Sequence, residues 1–490
     1  MKFPQVCLSA RTSVFCAQKK YSGGRRPSLG LIGILLPVIL AACASRMPSA
    51  DPSTRTPRPS ATENPSGAHT PMPAASQLDV REETLRGVRV EAWHPWFGAQ
   101  ASLFESQVAQ FNTENEWGIL IDAESKVNYS ELFLQTDAAL EESSFPQIVV
   151  ALPEHSLEWQ GYVVDLNPYL HDPLYGLSPL QQSDFYTPVW AQDEVDGKRL
   201  GLPAQRTARF LLYNESWARE LGFDSPPATS SEFEEQACAA HRALGEDDVA
   251  DNDALGGWLI DTDPMTPLSW MIAFGGGAHE EDGYRFLAPG NVAAFKYMKT
   301  LQQKNCAWVP STQLVAFDRF AARQALFATA SLGDLPDQTR AFSAAANKDK
   351  WTVLPFPGDE RDALIVYGSS FIMFESDDVT QLASWLFMRW MLSAENQARW
   401  VQSTGLFPLR AATMDLLADY STSHPQWAEA VKLLPRGEIT PQLASWRLVR
   451  VMLGDAFRDM FDTIRHPDLT EGQVPLILKQ MDDTAADLTP

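Results

Sequence analysis

The sequence predicts an α/β fold with mainly parallel sheet, on three observations. Residues 88–93 alternate in polarity around β-branched positions, as a strand does. Phe104, Val108 and Phe111 follow at helical spacing. Residues 148–152, Ile-Val-Val-Ala-Leu, form the continuous apolar run of a strand covered on both faces. With a strand at 118–121 and a helix at about 130–140, the order is strand, helix, strand, helix, strand, which builds a parallel sheet.

The remaining elements read in the same way. Asp196-Gly197, between Val195 and Leu200-Gly201-Leu202-Pro203, signals a hairpin. Residues 210–213 form a strand, and 214–221 turn helical until Gly222 and Pro226-Pro227. Thr229, with Ser230 or Ser231, offers a cap to a helix carrying Phe233 and Ala237. Residues 256–260 are strand-like, and Trp270 to Phe274 form a helix ending in Gly275-Gly276-Gly277. A helix at 291–303 and a strand and turn at 327–333 follow. Strands at 351–355 and 365–373 precede an amphipathic helix at 382–392, and the chain is mainly helical from Trp446.

The N-terminal region differs from the rest of the 490 residues. Residues 1–43 carry six basic side chains and no acidic one. The apolar run 29–42 is too short to span a bilayer stably, contains Pro37, and ends in Leu40-Ala41-Ala42-Cys43. Small residues before a Cys resemble the bacterial lipobox, in which that Cys is acylated; an ordinary secretory signal with a nearby Cys is the alternative. Residues 44–78 are rich in Pro, Ser, Thr and Ala, unable to form a core, and read as an extended tether.

Without residues 1–43, 33 basic side chains face 62 acidic ones, a net charge of −29 that argues against nucleic acid as a partner. Of five cysteines, Cys7 and Cys16 leave with the signal and Cys43 takes lipid. Cys238 and Cys306 remain, which in an oxidising compartment suggests one disulfide, two buried thiols being the alternative. No zinc-type cysteine spacing, no D-x-D-x-D-G loop and no cofactor motif occurs, so no cofactor or metal is expected.

Several segments together resemble the sugar-type extracellular solute-binding proteins of ABC importers. Phe145-Pro146-Gln147-Ile148-Val149-Val150 is similar to that family's Pro-Asp-Val strand. Asp196-Gly197-Lys198-Arg199-Leu200-Gly201-Leu202-Pro203 resembles its D-G-K-x-Y-G-x-P hairpin. Tyr213-Asn214, then Gly222, Pro226-Pro227, Thr229 and Glu232, resemble Y-N-K … G-x-x-x-P-P-x-T-W-x-E, with Ser230 or Ser231 where Trp is usual. Gly405-Leu406-Phe407-Pro408-Leu409-Arg410 resembles T-G-x-x-P-x-R.

The resemblance covers roughly residues 85–485 and implies the two-lobed periplasmic-binding-protein fold of class II type. The implied division is a signal at 1–43 and a tether at 44–78. Lobe 1 takes 79–207 and 366–433, and lobe 2 takes 208–365 and 434–490. Strands near 206–213 and 365–373 cross between the lobes. The implied protein is a lipid-anchored monomer on the outer side of the cell membrane. It closes on a carbohydrate by hinge motion and delivers it to ABC permease subunits.

Sugars present polar edges and flat apolar faces, which suit planar polar and aromatic side chains. Trp93 and Trp96 follow the first strand, and Glu154 follows the 148–152 strand with His155 ranked behind it, where ligands sit in open parallel sheets. Arg206 and Thr207 lie at the first crossing, without the carboxylate a maltodextrin-binding relative carries there. Trp270 and Gly276 precede and form a glycine loop. Asp334 follows the 327–333 segment, and Tyr367 and Gly368 stand at the second crossing. Trp446 resembles an aromatic that stacks on sugar in the family.

Each of these has packing or solvated surface as its plain alternative. The rival functions are a surface-anchored glycoside hydrolase, with a carboxylate pair about 5–10 Å apart, and a structural lipoprotein without an enclosed cleft. No G-x-S-x-G, H-E-x-x-H, P-loop or G-x-G-x-x-G motif supports catalysis, and the chain reads as a non-enzyme.

Overall fold

Strand β1 (Arg89–His94) lies between β2 (Leu120–Ser125) and β3 (Ile148–Ala151), parallel to both. The structure is a computed structural model that describes residues 75–489 apart from 281–282, 311–315 and 360. The signal segment, Cys43 and the tether up to residue 74 lie outside the described residues. Helix α1 (Gly98–Glu114) buries the predicted stripe of Phe104, Val108 and Phe111. Helix α2 (Tyr129–Glu141) starts at Asn128, whose side chain accepts from the Glu131 N–H. The second strand begins at Leu120 rather than residue 118, because Gly118 turns the chain at φ 74°. Helix α3 (Pro153–Glu158) leaves directly from the end of β3, with Pro153 in its first turn.

A hairpin joins β4 (Glu194–Val195) to β5 (Lys198–Arg199) through Asp196 and Gly197, at φ 51° and 74°. Strand β6 (Leu202–Asn214) then runs for 13 residues. Short strands β7 (Trp258–Leu259), β8 (His279–Glu280), β9 (Gly283–Tyr284) and β10 (Ala307–Trp308) follow. They precede β11 (Phe327–Ser331), β12 (Trp351–Leu354), β13 (Ile365–Met373) and β14 (Glu438–Ile439).

The main sheet runs β10-β7-β11-β6-β13-β3-β1-β2, with β12 also on β6 and β14 also on β13. The first half of β6 pairs with β13, and its second half with β11 and β12. The long strand therefore belongs to both ends of the sheet, and β13 returns antiparallel beside it. This is a two-lobed α/β fold with two crossing strands. The sheet is parallel at its flanks, as expected, and antiparallel at its centre. A chain that passes from one lobe to the other and returns must cross in opposite directions.

Alternate residues of β6 face different apolar clusters, as the period of a strand requires. Phe210 and Leu212 join one with Phe104, Phe111, Val150 and Trp385. Leu211 and Tyr213 join another with Trp258, Trp270, Phe295, Trp446 and Phe457. A disulfide links Cys238, on the Ser230–Gly245 helix, to Cys306, just before β10. At Gly368 a Cβ would fall on the carbonyl oxygen of Gln205 in the neighbouring crossing strand, so the close approach needs glycine.

Candidate functional site

A cavity of about 100 Å³ opens where the two lobes meet. From one side come Glu154, at the first turn of α3, and Gln192, just before the hairpin. From the other come Asp263, before the Met265–Ala273 helix, and Trp446 and Arg450 of the Trp446–Phe461 helix. Tyr367 and Gly368 of β13 lie between them.

The Trp446–Phe461 helix is fixed by burying Trp446, Val449, Leu453 and Phe457 in the second cluster. Its next positions, Arg447 and Arg450, are one turn apart on a common face. They meet Glu154 and Glu158, likewise one turn apart on α3. Arg450 Nε lies 3.1 Å from Glu154 Oε1, and Arg447 Nε 2.8 Å from Glu158 Oε1. Arg447 also sits 4.2 Å above the Phe133 ring. Burial pushes the Glu154 carboxyl above its usual value, against the pull of Arg450 and Arg447.

Behind Tyr367 lies a second polar group. Arg209 of β6 is paired with Asp261 and stands 3.8 Å from Asp263 and 4.0 Å from Asp334. Burial lowers its pKa, but Asp263, Tyr367 and Asp334 outweigh that and raise it. Burial, then Asp263, drives the Tyr367 phenol well above its usual value, so it stays a neutral donor. Trp446 is buried and stacks on Tyr284, ring centres 6.4 Å apart.

Of the sequence-predicted residues, Glu154, Tyr367, Gly368 and Trp446 line the cavity, and Asp334 stands behind it. Others have their surfaces committed elsewhere. Trp93 lies under the Lys126 ammonium, 3.7 Å from the ring centre, and donates to Glu91. Trp96 packs on Phe104 and Trp400. Trp270 is enclosed by Phe233, Trp258, Tyr297 and Phe356. A Cβ at Gly276 would strike Asn291, so the close approach there is to the chain itself.

Arg206 is fully buried and donates to Asp193 at 2.7 Å, to Ser370 Oγ and to the Ser369 carbonyl, fastening the crossing strands. Thr207 accepts from the Leu332 N–H. His155 is packed with Phe133 and Trp159, and burial lowers its pKa to about 3. Trp93 and Trp96 do not line this cavity, because their rings pack on Lys126 and on Phe104 and Trp400.

Gln192, Asp263 and Arg450 were not singled out from the sequence. The paired spacings Glu154/Glu158 and Arg447/Arg450 were a usable signal, but only a fold shows that they face each other. Among the described residues no group of His, Cys, Asp or Glu is arranged to hold a metal ion. No described helix is long and apolar enough to cross a membrane.

Two lobes, two crossing strands and a cavity between them, apolar in its larger part with a few polar groups, define the class as that of the hinged binding proteins. The chain belongs to the bacterial extracellular solute-binding proteins, whose family model matches residues 106–434. Among solved structures, the sugar-binding protein MalE of Xanthomonas citri superposes with a TM-score of 0.68 at 20% identity, over 82% of this chain and 98% of that one. The cyclic alpha-maltosyl-1,6-maltose binding protein of Arthrobacter globiformis gives 0.64 at 19%, over 81% and 98%. UgpB of Mycobacterium tuberculosis, solved with glycerophosphocholine, gives 0.63 at 17%, over 82% and 98%. A binding protein of Brucella abortus (strain 2308) is 24% identical over 315 residues, 63% of this chain and 72% of that one.

Proposed function

We propose that this protein captures a carbohydrate between its lobes and delivers it to the permease of an ABC importer. The observation that carries the reading is the cavity itself, where an aromatic ring, Trp446, meets the planar polar groups of Glu154, Gln192 and Arg450. That mixture suits a solute with apolar faces and hydroxyl edges. The similar MalE and cyclic maltosyl-maltose binding proteins support the same class of solute. A cavity of about 100 Å³ is well below the roughly 300–1,000 Å³ of ordinary ligand sites, so admission of a sugar requires the lobes to part. The crossing strands β6 and β13 are the elements about which they would part.

In this reading the protein is non-catalytic. Glu154, the carboxyl best placed to serve as an acid, is engaged by Arg450. Lipid on Cys43 and the Pro-rich stretch after it would keep the binding unit near the permease, with lobes divided as the sequence implies. A panel of mono- and oligosaccharides and polyols tests the assignment by thermal shift, since a ligand of the folded state raises the melting temperature. A rise with at least one sugar is expected. No shift across the panel would remove the carbohydrate assignment.

A further inference from the structure

Among the described residues, Glu154, Asp263 and Arg450 line the cavity, and ion pairs tie this region to Glu158, Arg447, Arg209, Asp261 and Asp334. Glu154 is matched by Arg450 and Glu158 by Arg447. Arg209 alone is left to Asp261, Asp263 and Asp334. The cluster around Arg209, which presents Asp263 to the cavity, therefore holds three carboxylates against one guanidinium.

A second observation concerns a different residue. Gln192 is buried and lines the same cavity. Its Nε2 donates to the Val366 carbonyl at 2.6 Å and to the Pro188 carbonyl at 3.5 Å. Those two acceptors fix the amide orientation, because the reverse would set oxygen against oxygen. Its Oε1 is left buried without a partner among the described residues. A buried acceptor without a donor is unfavourable, and a donor on the solute removes the penalty.

We propose that Gln192 and Asp263 form a wall that reads hydrogen-bond donors, so that the solute is a neutral or amino-bearing polyol and carries no phosphate or carboxylate. The inference rests on the cavity being the solute site, as proposed above. Hydroxyl and ammonium groups meet both residues as donors. A phosphate or carboxylate brings only acceptors to Gln192 Oε1 and a like charge to Asp263. The strong net negative charge of the chain acts in the same direction at longer range.

The test is calorimetric titration of the purified protein with glucose, maltose, glucosamine, glucuronate and glucose 6-phosphate. A neutral or amino sugar is expected to bind, and each anionic sugar at least about tenfold more weakly than its neutral parent. Asp263→Asn should lessen that discrimination against the anions. Gln192→Leu, which keeps the charge, should weaken the neutral sugar more than the anionic ones and so narrow the discrimination, with some loss of melting temperature because the Val366 and Pro188 carbonyls lose their donor. An anionic sugar binding as tightly as its neutral parent would overturn the inference and leave carbohydrate capture standing. Failure of all five to bind would count against carbohydrate capture, and the inference would fall with it.

Discussion

Arg450 and Glu154 form an ion pair, Nε to Oε1 3.1 Å, between a helix buried in the second cluster and the helix that follows β3. The Glu154 side chain is 7% exposed and that of Arg450 29%. The pair is thus part of the cavity wall and also a tie across the lobes. Removing one partner of a fully buried pair costs about 3–5 kcal/mol, whereas an exposed pair contributes less than about 1 kcal/mol. We expect Arg450→Ala to disfavour the closed form by an intermediate amount, about 1–3 kcal/mol. Small-angle scattering should record a larger radius of gyration, and solute affinity should fall about tenfold or more. An unchanged radius and affinity would show that the pair does not hold the lobes.

The hinge makes a separate prediction at Gly368. Ala there would place a methyl group on the Gln205 carbonyl, in backbone that has no flexible end to yield. Gly368→Ala should lower stability by about 2 kcal/mol or more through strain at the crossing. Denaturant unfolding measures it, and a change below about 0.5 kcal/mol would mean that the strands separate freely there.

Cys238 and Cys306 close a loop with a sequence separation of 68. Chain-entropy reasoning for such a loop gives about 4 kcal/mol, which we take as an upper figure. Reduction, or the double change Cys238→Ala and Cys306→Ala, should lower the denaturation midpoint accordingly. Peptide mapping without reductant should recover the two cysteines linked. Recovery of both alkylated without reduction would remove the bond.

His94 carries the pH prediction. It is buried beside Trp96 and Phe104, and burial lowers its pKa from 6.5 to about 4. Both ring nitrogens lack a partner among the described residues. The folded state thus disfavours the charged ring. The associated stability is fully present above pH 6.5 and is lost as pH falls from there toward 4, by about 3 kcal/mol. Melting temperatures of His94→Gln should fall less over that range than those of the parent protein. Parallel acid curves would show that other groups govern it.

Much of the fold was legible because local pattern and tertiary demand agree. The stripe of Phe104, Val108 and Phe111, the Asp196-Gly197 turn and the run 148–152 each have one favoured conformation. The strand predicted at 256–260 shrank to Trp258–Leu259, because Gly256 and Gly257 both take positive φ. The site was less legible. Trp446 and Tyr367, singled out from the resemblance and from a place at a crossing, line the cavity. Trp93, near the end of a strand, and Trp270, inside a helix, are the same residue type, yet their rings are committed to Lys126 and to a core.

The sequence by itself determined the α/β class, most of its strands and helices, and an acidic unit with two cysteines, while the crossing strands and the binding role came with the family resemblance. The former rest on periodicity, turn chemistry and composition, which act over a few residues at a time. Only the tertiary structure decided that Glu154 and Glu158 face Arg450 and Arg447, that Gln192 is left with an unpaired acceptor, and that Asp263 joins a charge excess around Arg209. Those partners are far apart along the chain. Their pairing depends on how the long strand β6 carries one lobe across to the other, a geometry no local pattern encodes.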